Sequence, residues 1–170
     1  MSLSMYQNSV PVFVRALKNL NVVLQKGEAL AAAKKIDPSV LINSRLAPDM
    51  FPLSRQIQIA TDIARRGIAR LAGVEPPKFE DDEKTFKDLY DRINRTIKYL
   101  ESFQPKLIDG TEDKPLVIEL GNNKVNFTGQ QMLLNFSVPN VYFHVTIAYA
   151  ILRHNGVDVG KQDFLGGMPS

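Results

Sequence analysis

The 170-residue chain contains no cysteine and only two histidines. The first absence excludes disulfides, thiolate metal sites and a cysteine nucleophile; the second excludes a three-histidine metal centre. No stretch approaches the roughly 20 apolar residues that cross a bilayer. The N-terminus, MSLSMYQNSVPVFVRALKNL, lacks the charged start and uninterrupted apolar run of a signal peptide. A cytoplasmic protein with no membrane partner is therefore the expectation. The net charge of +3 is small, and the cluster Arg65, Arg66 and Arg70 is expected to be the solvated face of a helix. A nucleic-acid interface would need a denser basic stripe or an aromatic stacking platform, and neither is present.

What is present is an ordinary globular balance, 44% hydrophobic and 23% charged. The length suits one domain, 1–170, with a real core. Apolar residues at Tyr6, Val10, Phe13, Val14, Leu17, Leu20 and Leu24 predict a first helix from about Ser4 to Lys26. Gly27 offers a break, followed by a further helical piece, Glu28 to Lys35. Asp37-Pro38 reads as a turn and helix start, and Ser39 to Asn43 as one short helical turn.

A second long helix begins at Leu53, after Asp49 bracketed by Pro48 and Pro52 as a cap or first turn. Its core positions are Leu53, Ile57, Ala60, Ile63, Ala64, Ile68 and Leu71, with Gly73 as the C-terminal stop. Ser54, Gln58, Thr61, Asp62, Arg65 and Arg66 make its polar face. Gln56 breaks the pattern, a polar residue on the apolar seam. Asp81, Asp82 and Glu83 then supply negative charge at the start of a third helix, whose apolar face is Phe86, Leu89, Tyr90, Ile93, Ile97 and Leu100. Alternation at Leu116, Ile118 and Leu120, and again at Val125 and Phe127 after Gly121-Asn122-Asn123, predicts a β-hairpin at about 115–128.

The last helical region can begin at Thr128-Gly129-Gln130-Gln131, with a kink or restart at Pro139. From there Asn140, Val141, His144, Ile147, Ala148, Ile151 and Leu152 share a face. The other side carries Tyr142, Phe143, Val145, Tyr149 and Ala150. A helix apolar nearly all round is covered on more than one side, and a second subunit is the economical cover. Four long helices with mainly short connectors predict an all-α, antiparallel four-helix bundle, with the hairpin between helices three and four.

His144 and Asn140 are one turn apart on that last helix. Two histidines at this spacing would signal a metal; one histidine and one asparagine signal it weakly. A lone histidine on an apolar face has a second reading, as a satisfied core residue. His154 lies too far along the axis to help, about 15 Å at 1.5 Å per residue. Gly160-Lys161 lacks the frame of a phosphate loop, and no Glu-x-x-His pair suggests a di-iron bundle.

RLAPDMFPLSRQIQIATDIA (45–64), ARLAGVEPP (69–77) and PNVYFHVTIAYAILRHNGVDVGKQDFLGG (139–167) resemble an uncharacterised branch of the DinB/YfiT-like superfamily, over nearly the full chain. The resemblance implies a four-helix bundle, commonly dimeric, with a metal pocket between helices. In metal-binding members a histidine on the second helix joins two histidines four apart on the last. His144 matches the second of that pair, judged by the following Leu152, Arg153 and Gly156. Asn140 stands where its partner histidine would be, and Gln56 is the candidate for the third position. One of three expected ligands is thus present.

Three readings follow. In the first, an interhelical pocket binds a small molecule through His144, Asn140 and Gln56, with Tyr6, Asp49 and Tyr149 as neighbours. In the second, a divalent cation held weakly by His144, Asn140 or Asp49 and water serves an enzyme such as a thiol-group transferase. In the third, the chain is a structural homodimer and His144 a hydrogen-bonded core residue.

Overall fold

Pro11 falls in the first turn of α1 (Val10–Lys34), where a missing N–H costs nothing. The computed structural model describes residues 4–121 and 123–167. α1 is one unbroken helix, whereas the sequence predicts a break at Gly27 and an earlier start; residues 5–9 form turns ahead of it. Gly27 is buried in the helix, and a Cβ there would lie 2.9 Å from Leu152 Cδ2. The glycine thus serves close helix approach rather than termination. Termination comes at Lys35, in the left-handed region at φ 54, with Ile36 N–H donating to the Ala31 carbonyl at 2.9 Å. Asp37 then caps the short α2 (Pro38–Ile42) through Ser39 N–H at 2.9 Å.

α3 (Leu53–Ala72) starts and stops where the pattern predicts, with Gly73 left-handed at φ 73. Asp49, expected as its cap or first turn, sits exposed in the preceding turn; Pro52 occupies the N-cap position and no side chain caps the helix. α4 (Phe86–Glu101) begins at a reciprocal capping box between Thr85 and Asp88. The acidic run 81–83, expected to serve the helix start, therefore does not cap it but turns elsewhere.

It turns to Arg92. This side chain is fully buried, and its Nε donates to Thr61 Oγ1 at 2.8 Å. One terminal nitrogen meets Glu83 Oε1 at 2.9 Å, the Glu80 carbonyl at 3.0 Å and Asp81 Oδ1 at 3.0 Å; the other meets Asp62 Oδ1 at 2.8 Å. Gln58 Nε2 donates to the second Glu83 oxygen at 2.9 Å. Phe79 covers the cluster, its ring centroid 4.2 Å from the Arg65 guanidinium and 4.5 Å from that of Arg95. Gln58, Thr61 and Arg65, which periodicity puts on the polar face of α3, are therefore buried, because the 74–85 connector folds over them.

α1 packs on α4 and on α6 (Val138–His154), and α3 packs on the same two helices around one continuous apolar core. The fold is mostly helical with a small two-stranded antiparallel sheet, β1 (Pro115–Leu120) and β2 (Asn123–Thr128), in which Leu116 faces Phe127 and Ile118 faces Val125. Asn122, at the centre of the predicted turn, lies outside the described residues. Lys114 Nζ donates to the Arg70 and Leu71 carbonyls at 3.0 and 2.9 Å, which ties the hairpin to the end of α3. On the other side, Gly129 opens the single turn α5 (Gly129–Gln131), capped by Thr128; a Cβ at Gly129 would meet the Thr111 carbonyl oxygen at 1.9 Å.

A π-helical turn, Met132–Ser137, carries the chain from α5 into α6. Its wider winding accommodates Pro139, which cannot donate to the preceding turn. The buried stripe of α6 is Val141, Val145, Ala148, Ile151 and Leu152. Asn140, His144 and Ile147 flank it half-buried, so the inward face is rotated toward Val145, which the pattern puts on the outer side. A further short helix, α7 (Lys161–Leu165), follows and lies on α1.

The Arg92 cluster sets a stability test. Glu83→Ala removes the most buried of the three carboxylates around Arg92 and orphans the Gln58 amide, and should cost about 2–4 kcal/mol. Breaking the exposed Lys18–Glu101 pair (2.9 Å) with Glu101→Ala should cost about 0–1 kcal/mol. Urea unfolding compares them; a Glu83→Ala loss no larger than that of Glu101→Ala would contradict a structural role for the cluster.

Candidate functional site

The loop before α3 is closed by the Leu53 N–H, which donates to the Ser44 carbonyl at 2.9 Å. That closure sets the Phe51 carbonyl beside the first turn of α3, where Gln56 Nε2 donates to it at 3.0 Å. A carbonyl oxygen only accepts, so the amide orientation of Gln56 is fixed and its Oε1 faces α6. There it lies 2.7 Å from His144 Nδ1. An amide oxygen also only accepts, so Nδ1 carries the proton and the lone pair of a neutral His144 is on Nε2.

Burial, and then the positive charge of Arg55, push the His144 pKa below its ordinary 6.5. The imidazole is therefore neutral at pH 7. Arg55 is itself held by Asp81 and by Gln58 Oε1 at 3.1 Å. For Asp81, burial acts to raise the pKa, but hydrogen bonds and charge from Arg55 and Arg92 outweigh it and bring the carboxyl below its usual range. The Phe143 ring stands edge-on to His144, centroids 5.2 Å apart. A half-buried neutral imidazole in this setting can accept a hydrogen bond at Nε2, act as a base, or give one bond to a metal.

Of the residues singled out in the sequence, the structure joins Gln56 and His144 directly. Asn140 lies one turn from His144 and gives its amide to the Phe136 carbonyl at 2.7 Å, in the π-helical turn. Three others have different surroundings. Tyr149 is five residues beyond His144, about 140° around the helix; its hydroxyl donates to the Val159 carbonyl at 3.2 Å and its ring is edge-on to Phe164. The Tyr6 N–H donates to Asp109 Oδ1 at 2.9 Å, and Asp49 is exposed. Sequence reasoning missed Arg55 and the Phe51 carbonyl, which set the charge and orientation of the pair. Arg55 is adjacent to Gln56, but nothing in the periodicity marks it. A backbone carbonyl leaves no sequence signal at all.

Over residues 5–165 the sequence matches the family described as a domain of unknown function, DUF1993. The chain belongs to the DUF1993 family. It is also similar to a solved structure, a DinB family member protein from Shewanella denitrificans. The two are 44% identical, the match covers 97% of this chain and 93% of that one, and the TM-score is 0.88. No curated protein matches. This DUF1993 chain is thus a DinB-like branch in both sequence and fold.

The donor set does not fit a tightly held zinc ion. Around His144 in this DUF1993 chain stand neutral amides, and the Gln56 amide is already committed on both sides. Among the described residues no group of three or more His, Cys, Asp or Glu is placed to hold a metal. None of the described helices is long and apolar enough to cross a membrane.

The depressed His144 pKa gives a pH test. The unfolded chain takes up this proton near pH 6.5 and the folded chain only at lower pH. The contribution to stability is therefore complete above pH 6.5 and is lost as pH falls through the window below it, with a slope of at most about 1.4 kcal/mol per pH unit. His144→Gln should flatten that slope in urea unfolding between pH 7 and 5. Imidazole nitrogen shifts should report the Nδ1–H tautomer at pH 7.5; the Nε2–H tautomer would contradict the assigned geometry.

Proposed function

We propose that this DinB-like chain acts as an antiparallel four-helix bundle that binds a small molecule beside His144, its ancestral-type metal position replaced by a hydrogen-bonding pair. The observation that carries this reading is the Phe51–Gln56–His144 chain of hydrogen bonds. A relay that fixes one tautomer keeps an acceptor lone pair on Nε2 for a ligand O–H or N–H donor. Asn140 supports the same site one helical turn away, and Phe143 supplies an apolar wall. Tyr6 and Tyr149 have their hydrogen-bond partners elsewhere and Asp49 is exposed, so these three stand outside the pair's immediate contacts.

The test is a fragment screen of hydroxyl- and amide-bearing compounds against the full chain, read by amide shifts. Compounds that move Gln56 and His144 should lose their effect with His144→Ala; a screen in which none maps to these residues would sink the reading. Elemental analysis of chelator-free protein separates the metal-dependent alternative, such as thiol-group transfer. Near one metal per subunit, lost in His144→Ala, would replace the metal-free pocket with that alternative.

A homodimer is favoured by a separate observation. On α6, Tyr142 is 36% and Phe143 55% exposed, and Phe51 near the start of α3 is also 55% exposed. Phe143 and Phe51, this open beside the Gln56–His144 pair, suit a second copy. Light scattering at micromolar concentration should give a dimeric mass, shifted toward monomer by Phe143→Asp; a monomeric wild type would exclude it.

A further inference from the structure

Three guanidinium groups share one carboxylate on the outer side of α3. Asp62 Oδ1 meets Arg65 at 2.6 Å and Arg92 at 2.8 Å, and its Oδ2 meets Arg66 at 2.8 Å. Arg70, one turn beyond Arg66, makes no ion pair or side-chain hydrogen bond among the described residues. It is half-buried all the same. Burial, followed by the charge of Arg66, holds its guanidinium below the ordinary pKa, against the smaller opposing charge of Glu75. Two like charges one turn apart repel unless an anion sits between them.

Both arginines line a cleft of about 250 Å³ between α3 and the hairpin. Its other walls include Ile59, Ile63, Ile118 and Phe136. Ile59 and Ile63 are only half covered, so apolar surface is left open inside a charged cleft. The shape is built in: Lys114 pins the hairpin to the last carbonyls of α3, and the Phe127 and Phe136 rings stand 6.1 Å apart behind it. Glu119 also lines the cleft, with Lys124 at 3.5 Å. With Asp62 half-neutralising Arg66 and Glu119 close by, the site suits one negative charge better than two.

We propose that this cleft binds a small organic monocarboxylate, its carboxylate on Arg66 and Arg70 and its hydrocarbon part against Ile59, Ile63, Ile118 and Phe136. The planar guanidinium forks match a carboxylate's two oxygens, and the apolar walls select against a bare inorganic anion. Arg55, whose charge acts on His144, also lines the cleft, but neither Gln56 nor His144 does, and the proposal does not depend on that reading.

Hexanoate is the probe, titrated into the full-length chain and followed by amide shifts. Shifts should concentrate on the second half of α3 and on β1, with a Kd of about 1 mM or tighter for a ligand of this size. Arg70→Gln should weaken binding about tenfold, and Arg66→Gln should do so as well. Each variant's melting temperature checks that it is folded. Hexan-1-ol and inorganic phosphate should both bind at least about tenfold more weakly, and His144→Ala should leave hexanoate binding unchanged. Three results would each overturn the proposal: no shifts in this cleft at about ten times the expected Kd, equal binding of hexanol or phosphate, or hexanoate binding indifferent to both arginine substitutions.

Discussion

Arg92 sits in the interior with no exposed surface, and a buried guanidinium is tolerable only when its N–H groups all find acceptors. Meeting that demand organises much of the molecule. Acceptors come from α3 (Thr61, Asp62) and from the connector (Glu80, Asp81, Glu83), so one side chain of α4 joins three segments. The connector is then held across the polar face of α3, where Phe79 packs on the arginines. The same cluster reaches the candidate site, because Asp81 holds both Arg92 and Arg55, and the charge of Arg55 acts on His144.

A second constraint acts at the other side of α3. Gly129 lies against the Thr111 carbonyl, Gly67 against Ser137, and Lys114 closes the last turn of α3. These contacts fix where the chain enters the π-helical turn. Inserting a wider turn rotates every later side chain about the axis, by about 100° for one extra residue. The direction in which His144 meets Gln56 depends on that entry, and so does the cleft beneath the hairpin, of which Phe136 in the same turn is a wall.

The Gln56–His144 pair shows how a backbone carbonyl can fix the hydrogen-bonding state of a side chain two steps away. In this DinB-like chain Gln56, the candidate for the second-helix ligand position in the family resemblance, spends both ends of its amide on fixed partners. A neutral imidazole with an assigned tautomer is the outcome. That arrangement suits hydrogen-bond recognition better than tight zinc ligation, where several histidines or anionic donors are usual.

The long helices, the stop at Gly73, and the strand alternation were legible in the sequence because each depends on local periodicity or on a backbone preference of Gly or Pro. Gln56 on the seam of α3 was legible too, as a polar residue in an apolar row. Arg92 carried the same signal, one position before Ile93 on the inward face of α4, and went unread. Periodicity also misjudged Gln58, Thr61 and Arg65, since it cannot know that a connector will fold over a polar face. Gly27 read as a break because a sequence does not say whether another helix presses there. Which residues meet across 88 positions, as Gln56 and His144 do, which carbonyl fixes an amide, and which carboxylates reach Arg92 were decided by tertiary packing. Those contacts join segments distant in sequence, and local pattern carries no information about them.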